Sequence, residues 1–288
     1  MSKWLYSYGV VLALLAGTWG CGEDNKGIEI AGPDLEEGVG RSYPIESVSF
    51  QSVDQVTVSA LFGKIPEGEV QDRPVVILVH DLGVGTKDEW GFFFEALLDQ
   101  GYLPLSIDLR GHGQTPLPDD GRAQANLLLA DVENSHLDVQ AALIWLSSQQ
   151  GVDIQRVAVV GNGVGGNVAF VSAGAFPQQV KTAVALSAGL WDLDFNPLVV
   201  GAGVESFSPQ SVLFMAGEQD FVIDQTGAVI TAPNGQPLSY VGFAQLLAGV
   251  TEDPKQLQVF PGTNDHGLDL LNNANAVDVL LDWLETYL

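Results

Sequence analysis

Cysteine is almost missing from this chain. Cys21 stands alone among 288 residues, so no disulfide can close within it. Basic residues are scarce too: 11 Lys and Arg face 36 Asp and Glu, a formal net charge of -25 at pH 7. A surface of that sign repels phosphate backbones, which argues against nucleic acid as a partner. The four histidines show no ligand spacing and the one cysteine lies near the start, so neither a metal site nor a cofactor is expected. No internal repeat is visible. What is plentiful is apolar: 46% of residues, with 16% charged, which fits a globular body with a well-buried core.

The start of the chain is a separate matter. Lys3 sits in a short polar stretch, and Gly9 to Gly17 is an apolar run too short to cross a bilayer. Thr18-Trp19-Gly20 then leads to Cys21. Residues 1–20 read as a secretory signal peptide. A cysteine directly after such a leader resembles the bacterial lipoprotein pattern, which implies lipidation of Cys21 and a membrane-anchored, exported protein. Ordinary cleavage with release and an uncleaved anchor are the alternatives. Residues 21–44 are polar, glycine-rich and aperiodic, as a tether is. The remaining 45–288 read as one domain.

In that domain, Ser47–Phe50 and Gln55–Phe62 alternate as antiparallel edge strands do. Val75-Val-Ile-Leu-Val79 is continuously apolar, the pattern of a strand buried on both faces. Trp90 to Gln100 has helical spacing and stops at Gly101; Leu103–Ile107 is the next strand, and Leu127 to Gln149 reads as one long amphipathic helix. Strands are expected at Thr182–Leu186, Ser211–Met215 and Leu257–Phe260, an inserted hairpin over Ala228–Val241, a short helix over Phe243–Ala248 and a closing helix from Val277 to Leu288. Strands alternating with helices predict an α/β fold, a mostly parallel sheet covered on both faces.

The chemistry concentrates at Arg156-Val-Ala-Val-Val-Gly161-Asn162-Gly163-Val164-Gly165-Gly166, a β-branched run that ends in glycines and leads into a small-residue helix. Its glycines match the Gly-x-Ser-x-Gly nucleophile elbow. With it stand His80-Asp81-Leu82-Gly83 after a strand, Asp108-Leu-Arg-Gly-His-Gly113, Asp220 after a late strand, and His266-Gly267 near the end. In that order, from about Val75 to Leu288, the chain resembles the α/β-hydrolases, the serine-hydrolase lineage of esterases and lipases. The resemblance implies an α/β-hydrolase fold with a small lid. It also implies a catalytic set at Gly163, Asp220 and His266, with Glu218 the competing acid, and an oxyanion hole from the N–H groups of Leu82 and Val164. His80 and His112 are expected to order their loops, and His136 to be solvated. Gly161, Gly163 and Gly166 also satisfy the dinucleotide fingerprint Gly-x-Gly-x-x-Gly, but a nucleotide site is rejected because the turn comes late in the chain.

Two residues depart from the family. Gly163 replaces the serine nucleophile and Asp81 replaces a glycine beside the oxyanion hole. Ser172, Ser187 and Asn162 offer no nucleophile at the turn. Two readings follow. One is an esterase-like pseudoenzyme that binds an apolar ligand or a partner. The other is a working ester or amide hydrolase that uses the His266–Asp220 pair with water or an unrecognised nucleophile. A serine restored at 163 is expected to face His266, with the charge of Asp81 as the obstacle.

Overall fold

The computed structural model describes residues 43–64, 71–124, 126–190, 207–224 and 226–288. The expected leader, Cys21, nearly all of the tether and most of the expected lid segment lie outside them. Among the described residues no helix is long and apolar enough to cross a membrane.

Eight strands form a single sheet: β1 (Ile45–Gln51), β2 (Thr57–Gly63), β3 (Arg73–Val79), β4 (Leu103–Ile107), β5 (Val152–Asn162), β6 (Val180–Leu186), β7 (Gln210–Gly217) and β8 (Glu252–Phe260). Their spatial order is β1-β2-β4-β3-β5-β6-β7-β8. The β1–β2 and β2–β4 pairs are antiparallel; every later pair is parallel. The central strands β3 and β5 carry the β-branched runs, and Val75–Val79 and Val157–Val160 are fully buried. A strand with apolar residues on both faces needs cover on both, and two clusters supply it. One packs Phe170, Val139 and Leu143 against one face; the other packs Trp90, Phe93, Leu280 and Trp283 against the opposite face.

The helices are α1 (Gly91–Asp99), α2 (Leu129–Glu133), α3 (His136–Leu146), α4 (Val164–Ala175), α5 (Tyr240–Gly249) and α6 (Ala274–Tyr287). Four sequence expectations fail here. The long helix over Leu127–Gln149 is broken between α2 and α3, and His136 at the break is buried, not solvated. The cause lies beneath it. Asp138 is drawn to Arg110, whose Nη2 donates to Asp138 Oδ1 at 2.8 Å, while His136 Nδ1 lies 2.9 Å from the Glu133 carbonyl. The hairpin over Ala228–Val241 also forms only isolated bridges, Ile223↔Val229, Thr231↔Pro237 and Phe221↔Ser239, and no regular strands. The short helix begins earlier than expected, at Tyr240, because Ser239 caps it by accepting the Gly242 N–H at 3.1 Å.

Candidate active site

Four segments end at the carboxyl edge of the sheet and meet there: the loops after β3, β5, β7 and β8. The β5–α4 turn is tight enough to demand glycine. A Cβ on Gly161 would overlap the Gly165 backbone, and one on Gly165 would overlap the Val79 carbonyl. Gly163 has φ 54° and ψ -114°, a region that disfavours residues with a side chain.

The loop after β3 is fixed by charge. Lys87 Nζ donates to Asp108 Oδ2 at 2.7 Å, its N–H donates to Asp108 Oδ1 at 2.8 Å, and both residues are buried. His80 is fully buried. Its Nε2 accepts the Leu109 N–H at 2.9 Å and its Nδ1 faces the Asp81 carbonyl at 2.5 Å. Burial pushes its pKa down to about 4, so it is a neutral structural group. His112 Nε2 accepts the Gly83 N–H at 3.3 Å and its Nδ1 faces the Arg110 carbonyl at 3.1 Å. Both histidines order loops, as their positions in the sequence suggest.

This scaffold aims Asp81 across the turn. Its Oδ1 accepts the N–H of Leu82 and the N–H of Val164, each at 2.8 Å. Those are the two N–H groups that the resemblance assigns to an oxyanion. A carboxylate from within the chain therefore already holds them, at the N-terminus of α4, where negative charge is favoured. The same carboxylate fills the space beside Gly163, so a Cβ there would overlap it. A side chain at 163 thus runs into Asp81, contrary to the expectation that it points freely toward His266.

The acid and the histidine are brought together. Asp220 is 4% exposed, and its Oδ1 and Oδ2 lie 3.1 and 3.0 Å from His266 Nδ1. Glu218 is elsewhere: exposed, it accepts the Gly262 N–H at 2.8 Å. Burial works against a charged His266, but the hydrogen bond and charge of Asp220 outweigh it, and the pKa lies above the ordinary value. The charges of Asp81 and Asp269 push the same way. Among the described residues, His266 Nε2 has no hydrogen-bond partner, and the Tyr240 ring stands edge-on to the imidazole at 4.4 Å.

Sequence reasoning missed three supports. Ser187 Oγ donates to Asp220 Oδ2 at 2.7 Å and accepts the Gly267 N–H at 2.9 Å, so it ties acid to histidine loop. Asn162 Oδ1 accepts the Leu268 N–H at 3.1 Å, fastening the same loop to the elbow, while its Nδ2 donates to Glu89 Oε1 at 2.9 Å. Glu89 also receives the Asp81 N–H, yet burial dominates and raises its pKa to about 7. No motif marks these positions; only the glycine turn next to Asn162 hinted at its place. Among the described residues no group of three His, Cys, Asp or Glu side chains is arranged to hold a metal ion.

A family model described as the α/β hydrolase fold matches residues 74–203. An uncharacterised protein of Mycobacterium tuberculosis is 32% identical over 123 residues, covering 43% of this chain and 31% of the relative. An uncharacterised 31.7 kDa protein of Escherichia coli is 29% identical over 126 residues, covering 44% and 41%. The chain thus spans less than half the length of these curated relatives. Among solved structures, an esterase of Pyrococcus furiosus superposes with a TM-score of 0.60 at 16% identity, covering 85% of this chain and 93% of that one. An acetyl xylan esterase of Paenibacillus sp. R4 gives a TM-score of 0.60 at 18% identity, covering 88% and 87%. At such identities the likeness is one of fold.

Proposed function

We propose that this chain, a member of the α/β-hydrolase fold family, does not run the serine-esterase reaction of that lineage. One observation carries the reading: the Asp81 carboxylate accepts the N–H groups of both Leu82 and Val164, beside a Gly163 that has no side chain. Serine-type acyl transfer needs a nucleophile at the elbow and free donors for the developing oxyanion. Here the first is lacking and the second are engaged. Hydrogen bonds to an ionised acceptor contribute roughly 1.5–3 kcal/mol, against roughly 0.5–1.5 kcal/mol for a neutral carbonyl. A substrate ester therefore loses the competition for those donors.

A second reading has its own support. Asp220 is buried, held by Ser187, and paired with a His266 whose Nε2 is free of partners among the described residues. That arrangement suits a general base acting on water, and it favours a hydrolase with another nucleophile over a pure binding protein. We place the protein outside the cytoplasm, anchored by lipidated Cys21. An exported chain whose mass spectrum shows an unmodified N-terminus beyond Cys21 overturns the anchor.

The test of the main reading is a panel of short-chain and long-chain nitrophenyl esters on the purified chain. The expected rate is near background and unaffected by His266→Ala. A fast rate that His266→Ala abolishes contradicts the proposal.

A further inference from the structure

We infer that a cavity at the amino edge of the sheet, away from the elbow, binds a linear polyamine, a chain of methylenes that carries two or more ammonium groups. The cavity lies apart from the catalytic edge, so neither reading of that edge bears on it.

The cavity measures about 520 Å³ and is lined by Gln100, Tyr102, Asp278, Leu281, Asp282 and Glu285. That volume lies within the roughly 300–1,000 Å³ of small-molecule sites. Gln100 and Tyr102 stand between the end of α1 and the start of β4, and the other four residues come from α6. β4 runs parallel to β3, so its start lies away from the carboxyl edge where Asp81, Asp220 and His266 meet. Tyr102 is only 9% exposed and packs with the core cluster of Phe93 and Leu280. Its hydroxyl nevertheless has no hydrogen-bond partner among the described residues. Burial and the charge of Glu285 both push its pKa above the ordinary value. Arg156, the cation whose charge reaches Tyr102, is already committed to Asp153 through Nε at 2.7 Å.

Three carboxylates face this phenol without a counter-charge. Asp278, Asp282 and Glu285 are exposed, and none is in an ion pair among the described residues. Spaced by four and then three residues, they form one stripe on α6, with steps of roughly 6 and 4.5 Å along its axis. Like charges one turn apart oppose each other. α6 also has no acidic residue in its first turn and no basic residue in its last, so Glu285 near its C-terminus opposes the helix dipole unrelieved. A bound cation removes both penalties. A solvated acidic face needs neither a cavity nor a buried phenol in its wall. Among the described residues no three acids are arranged to hold one metal ion. A row of separated carboxylates instead suits separated positive charges, and spacers of three or four methylenes hold ammonium groups apart by about the step between these acids. The ammonium groups donate to the carboxylates and to the Tyr102 oxygen, and the methylenes lie on the half-buried Leu281.

The experiment is a calorimetric titration of the purified full chain with spermidine at low ionic strength. One equivalent should bind. Tyr102→Phe removes only a hydroxyl and should weaken binding by roughly tenfold. Asp282→Asn, at an exposed position that tolerates the change, should weaken it by roughly twofold to fivefold. Asp119→Asn removes an exposed acid beyond the carboxyl end of β4 and should change nothing. Butylamine, with a single ammonium, should bind on the order of a hundredfold more weakly than spermidine. Amide NMR shifts caused by spermidine should cluster at residues 100–102 and 278–285. Absence of binding, several equivalents of equal affinity, an equal loss in Asp119→Asn, or an affinity that neither Tyr102→Phe nor Asp282→Asn alters each overturns the inference. So does displacement of spermidine by magnesium chloride at matched ionic strength, which marks a metal site instead.

Discussion

The carboxylate of Asp81 occupies the space that a side chain on Gly163 would need. A residue flagged in the sequence as a mere departure thus decides what the elbow can do. It comes from the loop after β3, not from the elbow, and it reaches the two N–H groups that flank the turn.

Gly163→Ser alone should not create an esterase. The serine would meet Asp81, and φ 54° costs a residue with a side chain roughly 1–3 kcal/mol. The variant should melt below wild type and stay silent toward nitrophenyl acetate. Adding Asp81→Gly removes the obstruction and frees both N–H groups, so the double variant should gain measurable hydrolysis. Equal activity in the single and double variants would show that Asp81 does not obstruct the turn.

Ser187→Ala should destabilise the chain by on the order of 1–3 kcal/mol, because the buried Gly267 N–H loses its acceptor and Asp220 loses a donor. Denaturant unfolding measures it.

His266 should titrate above the ordinary 6.5 in an NMR pH series, and Asp220→Asn should bring it below the wild-type value. The sign for stability follows from the raised folded value. The pair's contribution is fully present below the unfolded pKa and is lost as pH climbs through the folded one. Asp220→Asn should remove that dependence; an unmoved His266 titration in the variant contradicts the pairing.

Glu89 gives the same sign for another reason. Burial raises its pKa to about 7, so the folded state holds a proton that the unfolded state releases near 4.5. Stability from this group is full below about pH 4.5 and falls as pH rises to about 7. Glu89→Gln keeps a partner for Asn162 and should flatten that fall, by on the order of 1–3 kcal/mol between acid and mildly alkaline buffer. Thermal melts across the range decide it; parallel curves for the two proteins rule it out.

The fold was legible because its strongest signals are periodic. Val75–Val79 and Val157–Val160 can only be central strands, and the glycines at 161 and 165 permit the close backbone approach that the elbow makes. The acid could be picked by its place after β7, and the structure sets Asp220, not Glu218, against His266. The split between α2 and α3 was not legible, since the buried Arg110–Asp138 pair that governs it links positions 28 apart. Ser187 and Glu89 escaped for the same reason. Their partners are distant in sequence, and neither carries a local pattern. The direction of Asp81 was hidden because it is set by the Lys87–Asp108 anchor of its loop and by two N–H groups, one of them across the turn.

The most direct measurement is an NMR titration of the backbone amides of Leu82 and Val164 into acid, in the wild type and in Asp81→Asn. An N–H bonded to a carboxylate shifts when that carboxylate gains its proton. Both amides should therefore move with one shared midpoint in the wild type, and neither should show that transition in Asp81→Asn. Amides that move independently, or that keep the transition without the carboxylate, would mean that Asp81 does not hold the two donors together.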